Sequence, residues 1–149
     1  MSFTYLVPYD ASNNAKRALE WAINHGKLSG AHIRVVNIQP SFRTIHSKAL
    51  FSKNDIEEYQ QQLFGECTEG VKALLDASGL QTSMEMGIGD PKEVIVDLVK
   101  KSRETDDPID LIVMGSRGTN PMFSGVLGSV SYAIINSGIC PVTIIPQSK

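Results

Sequence analysis

Five short apolar runs, each separated from the next by a segment of helical period, constrain this chain more than any other feature. The runs are residues 3–7, 33–38, 82–86, 109–113 and 142–145. All are short enough to be buried strands. After the first, Ala15, Leu19, Ala22, Ile23 and Gly26 recur at helical spacing behind Ser12, a natural N-cap. Ile56, Tyr59, Leu63, Cys67, Val71 and Leu74 predict one long helix that Gly79 ends. Asp90-Pro91-Lys92-Glu93 reads as a helix start: a cap, a proline at the first helical position and an acid three residues on. Ile95, Leu98 and Val99 carry the apolar face of that helix, and Lys100, Lys101 and Arg103 sit near its end, where the dipole favours cations. A last helix runs from about Val130 to Ser137. Strict alternation of strand and helix implies a parallel sheet, helices on both faces and right-handed crossovers.

The fourth run leads into Met114-Gly115-Ser116-Arg117-Gly118, and nine residues later come Gly128-Ser129. A glycine-rich loop thus joins a buried strand to a helix N-terminus. Free backbone N–H groups and the positive end of the helix dipole then point at one place, which suits an anion. A tight turn with extra glycines is the plainer reading. In an open parallel sheet, ligands bind beyond the carboxyl ends of the strands where strand order reverses. If strands one and four are neighbours, Asp10 and Ser12 face Gly115 across one crevice. Asp10 can accept from a ribose or base, or it can cap the first helix, and residue type does not separate the two. The first strand–helix turn lacks G-x-G-x-x-G, against an ordinary NAD or FAD site, and the glycine loop lacks the lysine of a P-loop NTPase.

Composition removes other classes. The formal net charge of −2 gives no general attraction to nucleic acid or anionic lipid. No stretch approaches the ~18 apolar residues of a membrane span, and residues 1–10 do not read as a signal peptide. A cytoplasmic location is the default expectation. At 149 residues with no dividing linker, one domain over 1–149 is expected.

Gly115, Gly118, Gly128 and Ser129 fill every fixed position of G-x2-G-x9-G-[ST], and the chain resembles the ATP-binding branch of the universal stress protein family. Val7-Pro8-Tyr9-Asp10, Gly89-Asp90-Pro91 and Cys140-Pro141-Val142 extend the resemblance over nearly the whole chain. It implies a flavodoxin-like α/β three-layer sandwich (adenine nucleotide alpha hydrolase-like), with five parallel strands in the order 3-2-1-4-5. It implies ATP, with Mg2+, as the ligand. Gly115, Gly118, Gly128, Ser129 and Val130 would line phosphates and ribose, Met114 would lie under the ribose, and Asp10 and Ile38 would lie near the adenine, flanked by Pro8 and Tyr9. Pro8-Tyr9 is bulkier than the Val-Asp ending common in the family. Arg117 can reach a phosphate or lie on a solvated loop. The family also implies a homodimer paired through Val142–Ile145, although Pro141 and Pro146 remove ladder donors from that strand.

The remaining chemistry-bearing residues read as structural. His25, His32 and His46 have no metal-ligand spacing around them. Cys67 falls on an apolar helix face and Cys140 precedes a proline. Ser116 and Ser131 lack a nearby His–Asp arrangement, so no catalytic residues are singled out. The segment from Gln39 to Asn54 is polar and partly basic, with Phe42, Arg43, His46, Lys48 and Phe51: a lid, an adaptable partner surface or a surface loop. The function expected is a nucleotide-dependent sensor or regulator. A slow nucleotide hydrolase, with Asp10 its strongest acidic candidate, is the alternative. A nucleotide-free interaction module is disfavoured because packing alone requires no such set of glycines.

Overall fold

The computed structural model describes residues 2–41, 51–116 and 127–146. In chain order they form β1 (Thr4–Pro8), α1 (Asn13–Ser29), β2 (His32–Gln39), α2 (Lys53–Cys67), α3 (Val71–Ala77), β3 (Thr82–Ile88), α4 (Pro91–Ser102), β4 (Leu111–Gly115), α5 (Ser129–Ser137) and β5 (Val142–Ile145). The sheet is five-stranded, all parallel, in the order β3-β2-β1-β4-β5. Fold class and strand order are those expected.

Period-2 alternation sorts the strand residues onto two cores. Tyr5 and Val7 of β1 and Ile33 and Val35 of β2 pack with Ala18, Leu19 and Ala22 of α1 and with Val71 and Leu75 of α3. Leu6, Val36, Ile112 and Met114 face the opposite way, against Ile95 and Val99 of α4 and Ile134 of α5. The central strands are buried on both faces, as a parallel sheet between helical layers requires.

Local signals behave as their chemistry dictates at most ends. Ser12 Oγ accepts from the Ala15 N–H at 3.1 Å, capping α1. Asp90 caps α4 by accepting from the Lys92 N–H at 2.9 Å, with Pro91 in the first turn. Strand three runs on to Ile88, beyond the expected Met86, because β2 pairs with it as far as Gln39↔Ile88. Strand four lies two residues later than expected, at Leu111–Gly115, and Ile109 is buried on the way in.

The expected long helix is two helices. Thr68 N–H and Oγ1 both bond the Phe64 carbonyl, at 3.0 and 2.7 Å, and close α2. Gly70 then takes φ +79°, a left-handed conformation that ends one helical phase and starts another. Leu74 is therefore exposed, not core, while Leu75 is buried; within α2 itself Tyr59 is exposed and Gln60 is buried. The expected polar segment also contracts. Gln39 is the last residue of β2 and 5% exposed, and Lys53 and Asn54 lie in the first turn of α2. Ser52 and Asp55 form a reciprocal capping box there, with bonds of 3.1 and 3.2 Å, a signal already present in the spacing Ser52-x-x-Asp55. Phe42, Arg43, His46 and Lys48 lie outside the described residues. Among the described residues no helix is long and apolar enough to cross a membrane.

Ile134 is fully buried and ties α5 to the α4 side of the sheet. Ile134→Ala is expected to destabilise the protein by about 2–5 kcal/mol in urea titration, the usual cost of an unfilled core site.

Candidate functional site

The sheet parts between β1 and β4 at its carboxyl end. Pairing of β1 with β2 continues to Pro8↔Val36 and that of β4 with β5 to Gly115↔Ile145, whereas β1 and β4 pair only as far as Leu6↔Ile112. This is also where strand order reverses. The connections leave β1 in one direction and β4 in the other, so a crevice opens between them.

The first turn of α1 closes the floor of that crevice. A Cβ on Gly115 would stand 2.7 Å from Asn14 Cβ and 3.1 Å from both the Asn14 carbonyl carbon and oxygen. Backbone cannot swing aside as a side-chain tip can, so only glycine fits. Helix–strand packing alone thus demands glycine at Gly115, one member of a set that packing is not expected to require in full.

The two ends of the glycine loop are fastened together. Gly128 N–H donates to Ser116 O at 2.7 Å, Ser131 Oγ donates to Gly115 O at 2.9 Å, and Ser116 N–H donates to Ile145 O at 3.1 Å. Gly128 is the N-cap of α5, with φ −64° and ψ 157°, extended backbone open to any residue, and without a side chain it makes no cap bond. The first helical bond runs from Tyr132 N–H to Gly128 O. The amides of Ser129 and Val130 precede it in the first turn, where helical N–H groups lack an intrahelical acceptor. Arg117 and Gly118 lie outside the described residues.

On the β1 side, Asp10 is exposed and its Oδ1 accepts from the Ser12 N–H at 3.0 Å. One oxygen thus performs the local capping role, and helix capping by Ser12 proceeds beside it. Ala11, between them, has φ +64°, the one non-glycine residue with positive φ among those described. An alanine there is strained by roughly 1 kcal/mol. Pro8 and Ile38 are half-buried, and Met114 is buried under the crevice at 6% exposure. Tyr9 is 6% exposed and belongs to the α1-side core. Burial, with Cys67 and Asp10 nearby, pushes its phenol further up, so it stays neutral.

A family model, the universal stress protein family, matches residues 1–146. The chain belongs to the universal stress protein family. A universal stress protein of Methanocaldococcus jannaschii is 28% identical over 144 residues, covering 97% of this chain and 82% of its own. A second from that archaeon is 25% identical over 159 residues, and its solved structure superposes with TM-score 0.83 over 100% of this chain and 99% of that one. At lower identity, 21%, an Arabidopsis thaliana family member solved with AMP bound has TM-score 0.65, over 98% of this chain and 92% of that one. A universal stress protein solved in complex with cAMP is 20% identical, TM-score 0.61, over 96% and 95%.

Two histidines of this universal stress protein, His25 and His32, are engaged in structural contacts. Trp21 stacks on His25 with ring centroids 4.7 Å apart, and Tyr5 Oη lies 2.9 Å from His25 Nδ1. His32 Nδ1 donates to Asp107 Oδ2 at 2.6 Å, the Thr4 hydroxyl also donates to Asp107, and Ser83 Oγ lies 3.3 Å from His32 Nε2. This cluster fastens the α4–β4 connection to the amino ends of β1, β2 and β3. The sequence reading missed it because its members are 75 and 51 residues apart. His46 is outside the described residues, among which no metal-ligating group occurs. Burial pushes both the Cys67 and the Cys140 thiols up, so neither is an activated nucleophile.

Two outcomes follow. Gly115→Ala is expected to lower stability by about 1–3 kcal/mol in thermal or urea unfolding, since overpacking against the Asn14 backbone has little room to relax. The Asp107 carboxyl is raised by burial, but the hydrogen bonds from Thr4 and His32 outweigh this and hold it below its usual value. A carboxylate lowered in the folded state adds stability above its unfolded pKa of ~4 and loses it as pH falls through the folded value. Asp107→Asn should therefore flatten the acid side of the stability–pH curve, read as urea midpoints from neutral pH downward.

Proposed function

We propose that the crevice between β1 and β4 binds an adenine nucleotide, ATP with Mg2+, and that this universal stress protein acts as a nucleotide-dependent regulator. The observation that carries the reading is Gly128. It sits at an N-cap, where Ser, Asp or Asn would add a side-chain cap bond, in a conformation that does not call for glycine. Giving up the cap leaves the first amides of α5 to an outside acceptor, and a phosphate is the acceptor a helix N-terminus suits. The family signature, completed by Gly115, Gly118 and Ser129, and the AMP- and cAMP-bound family members support the same choice.

In this reading Gly115, Gly118, Gly128, Ser129 and Val130 surround phosphates and ribose, with Arg117 adding charge. Met114 lies beneath the ribose. Asp10, through the oxygen not engaged with Ser12, and Ile38 meet the adenine end, beside Pro8. Tyr9 contributes through its backbone, because its side chain is in the core. The protein works by occupancy: bound nucleotide orders the loop and biases contacts with a regulatory partner. We place it in the cytoplasm as one domain spanning residues 1–149, with no role in nucleic-acid or membrane binding. We also propose a homodimer through β5. In its parallel pairing, residues 141 and 145 turn their carbonyls to β4, so by alternation Val142 and Ile144 present theirs at the free edge. Pro146 falls at the end of that edge and Pro141 faces inward, so neither blocks these two residues.

The test is isothermal titration of nucleotide-stripped protein with MgATP, repeated on Gly128→Val. The observed backbone angles accept valine, so circular dichroism should be unchanged. Micromolar binding is expected in the parent and a loss of at least about tenfold, ~1.4 kcal/mol, in the variant. No binding by folded parent protein would sink the nucleotide reading. Light scattering on the same sample reports the dimer.

A further inference from the structure

Beneath the Asp10 turn lies a buried chain of carboxamides. Asn37 and Gln39 occupy alternate positions of β2, on the same face as Val35, and are 6% and 5% exposed. Every N–H of the two amides is committed. Asn37 Nδ2 donates to Tyr9 O at 3.0 Å and to Cys67 Sγ at 3.2 Å. Gln39 Nε2 donates to Asn37 Oδ1 at 3.1 Å and to Gln60 O, on α2, at 3.0 Å. These partners fix the orientation of both amides, since a flip of either would set its carbonyl oxygen against a backbone carbonyl. Gln39 Oε1 has no partner, the only such buried side-chain oxygen or nitrogen among the described residues. A buried polar chain that leaves an acceptor unpaired is poor economy if its task is stability alone.

Its end point gives it another task. β1 ends at Pro8, and Tyr9 N–H still joins the sheet, donating to Val36 O at 2.8 Å. The Tyr9 carbonyl is instead held by the Asn37 amide, and the Cys67 thiol, kept protonated by burial, approaches it at 3.7 Å. The next peptide carries Asp10, and after it comes the strained Ala11. We propose that Asn37, oriented by Gln39, is the positioning residue of the nucleotide site: its bond to the Tyr9 carbonyl sets where the Asp10 carboxylate stands, and Gln39 links that setting to α2. The inference rests on the nucleotide reading above and deepens it, by assigning the adenosine end of the ligand to a device on β2 that does not itself touch the ligand.

The test exchanges the donor for an acid. In Asn37→Asp the introduced carboxyl can donate to the Tyr9 carbonyl only while protonated, and burial keeps it protonated to higher pH than an exposed aspartate. Affinities for MgATP and for adenosine are measured from about pH 5 to about pH 8, where a typical domain is most stable. The expected result is near-parent affinity at the acid end and a loss of about tenfold, the scale of a removed outer-shell bond, as the carboxyl ionises. The loss should be the same for both ligands, whereas Gly128→Val, beside the phosphates and ribose, should weaken MgATP more than adenosine. Asn37→Leu should bind weakly at every pH. A packing role alone would lower the melting temperature without a pH step in affinity, and that result overturns the proposal, as does parent affinity across the range. Should Asn37→Asp not fold, Gln39→Leu releases the Asn37 amide without adding charge, and amide hydrogen exchange at Ser12 in ligand-free protein must then quicken relative to the parent. Unchanged exchange overturns positioning. Failure of the parent to bind any adenine ligand overturns the nucleotide reading instead, and the exchange experiment tells the two apart.

Discussion

The close approach of α1 to Gly115 is the contact on which the rest of the site depends. Parallel strands with right-handed crossovers force β1 and β4 to send their helices to opposite faces. The strands separate beyond Leu6↔Ile112, and the backbone of Asn14 fills the gap against a residue with no Cβ. With α1 seated there, its capping residue Ser12, the Asp10 carboxylate and the strained Ala11 are all fixed at one rim. The opposite rim is the start of α5, tied back through Ser131 to the same Gly115. One missing methyl group thus sets the distance between the two halves of the crevice.

The two ends of the sheet divide the labour. The amino end carries the bonds that close the structure: His32, Asp107 and Thr4 fasten the connection entering β4, and Thr4 N–H donates to Asp110 at 2.9 Å. These bonds satisfy backbone and side-chain groups that a loop beneath a sheet would otherwise strand. At the carboxyl end, by contrast, the first turn of α5 after Gly128 presents amides that lack an intrahelical acceptor, and the Asp10 carboxylate is exposed. Nucleotide readings of the crevice and structural readings of the histidines are consequences of the same asymmetry.

Between these ends, β2 is unusual in burying amides on one face and hydrocarbons on the other. Ile33 and Val35 begin the α1-side face as core, and Asn37 and Gln39 continue it as a hydrogen-bonded chain. The break between α2 and α3 at Gly70 belongs to the same arrangement. It lets Cys67 and Gln60 reach the amides from α2 while Val71 and Leu75 of α3 cover the hydrocarbon part.

The sequence by itself determined the alternation of strands and helices, the last strand to the residue, and the starts of α1 and α4, because apolar period and capping chemistry are local and short-ranged; the strand order followed only from the family resemblance. Its glycine signature also contains Gly115, Gly128 and Ser129, which the fold brings to the carboxyl end of the sheet. It misjudged the phase of the long helix, since a single left-handed glycine reassigns every following side chain and the neighbouring leucines Leu74 and Leu75 look alike in the pattern. Only the tertiary structure decided that Gly115 is demanded by Asn14, that Tyr9 turns into the core, and that Gln39 is a buried strand residue and not the start of a polar loop. Each of these depends on partners from 21 to 101 residues away in the chain, as in Gln39 with Gln60 and Gly115 with Asn14. No local pattern can carry such pairings, because the free energy that settles them exists only after the sheet has brought the partners together.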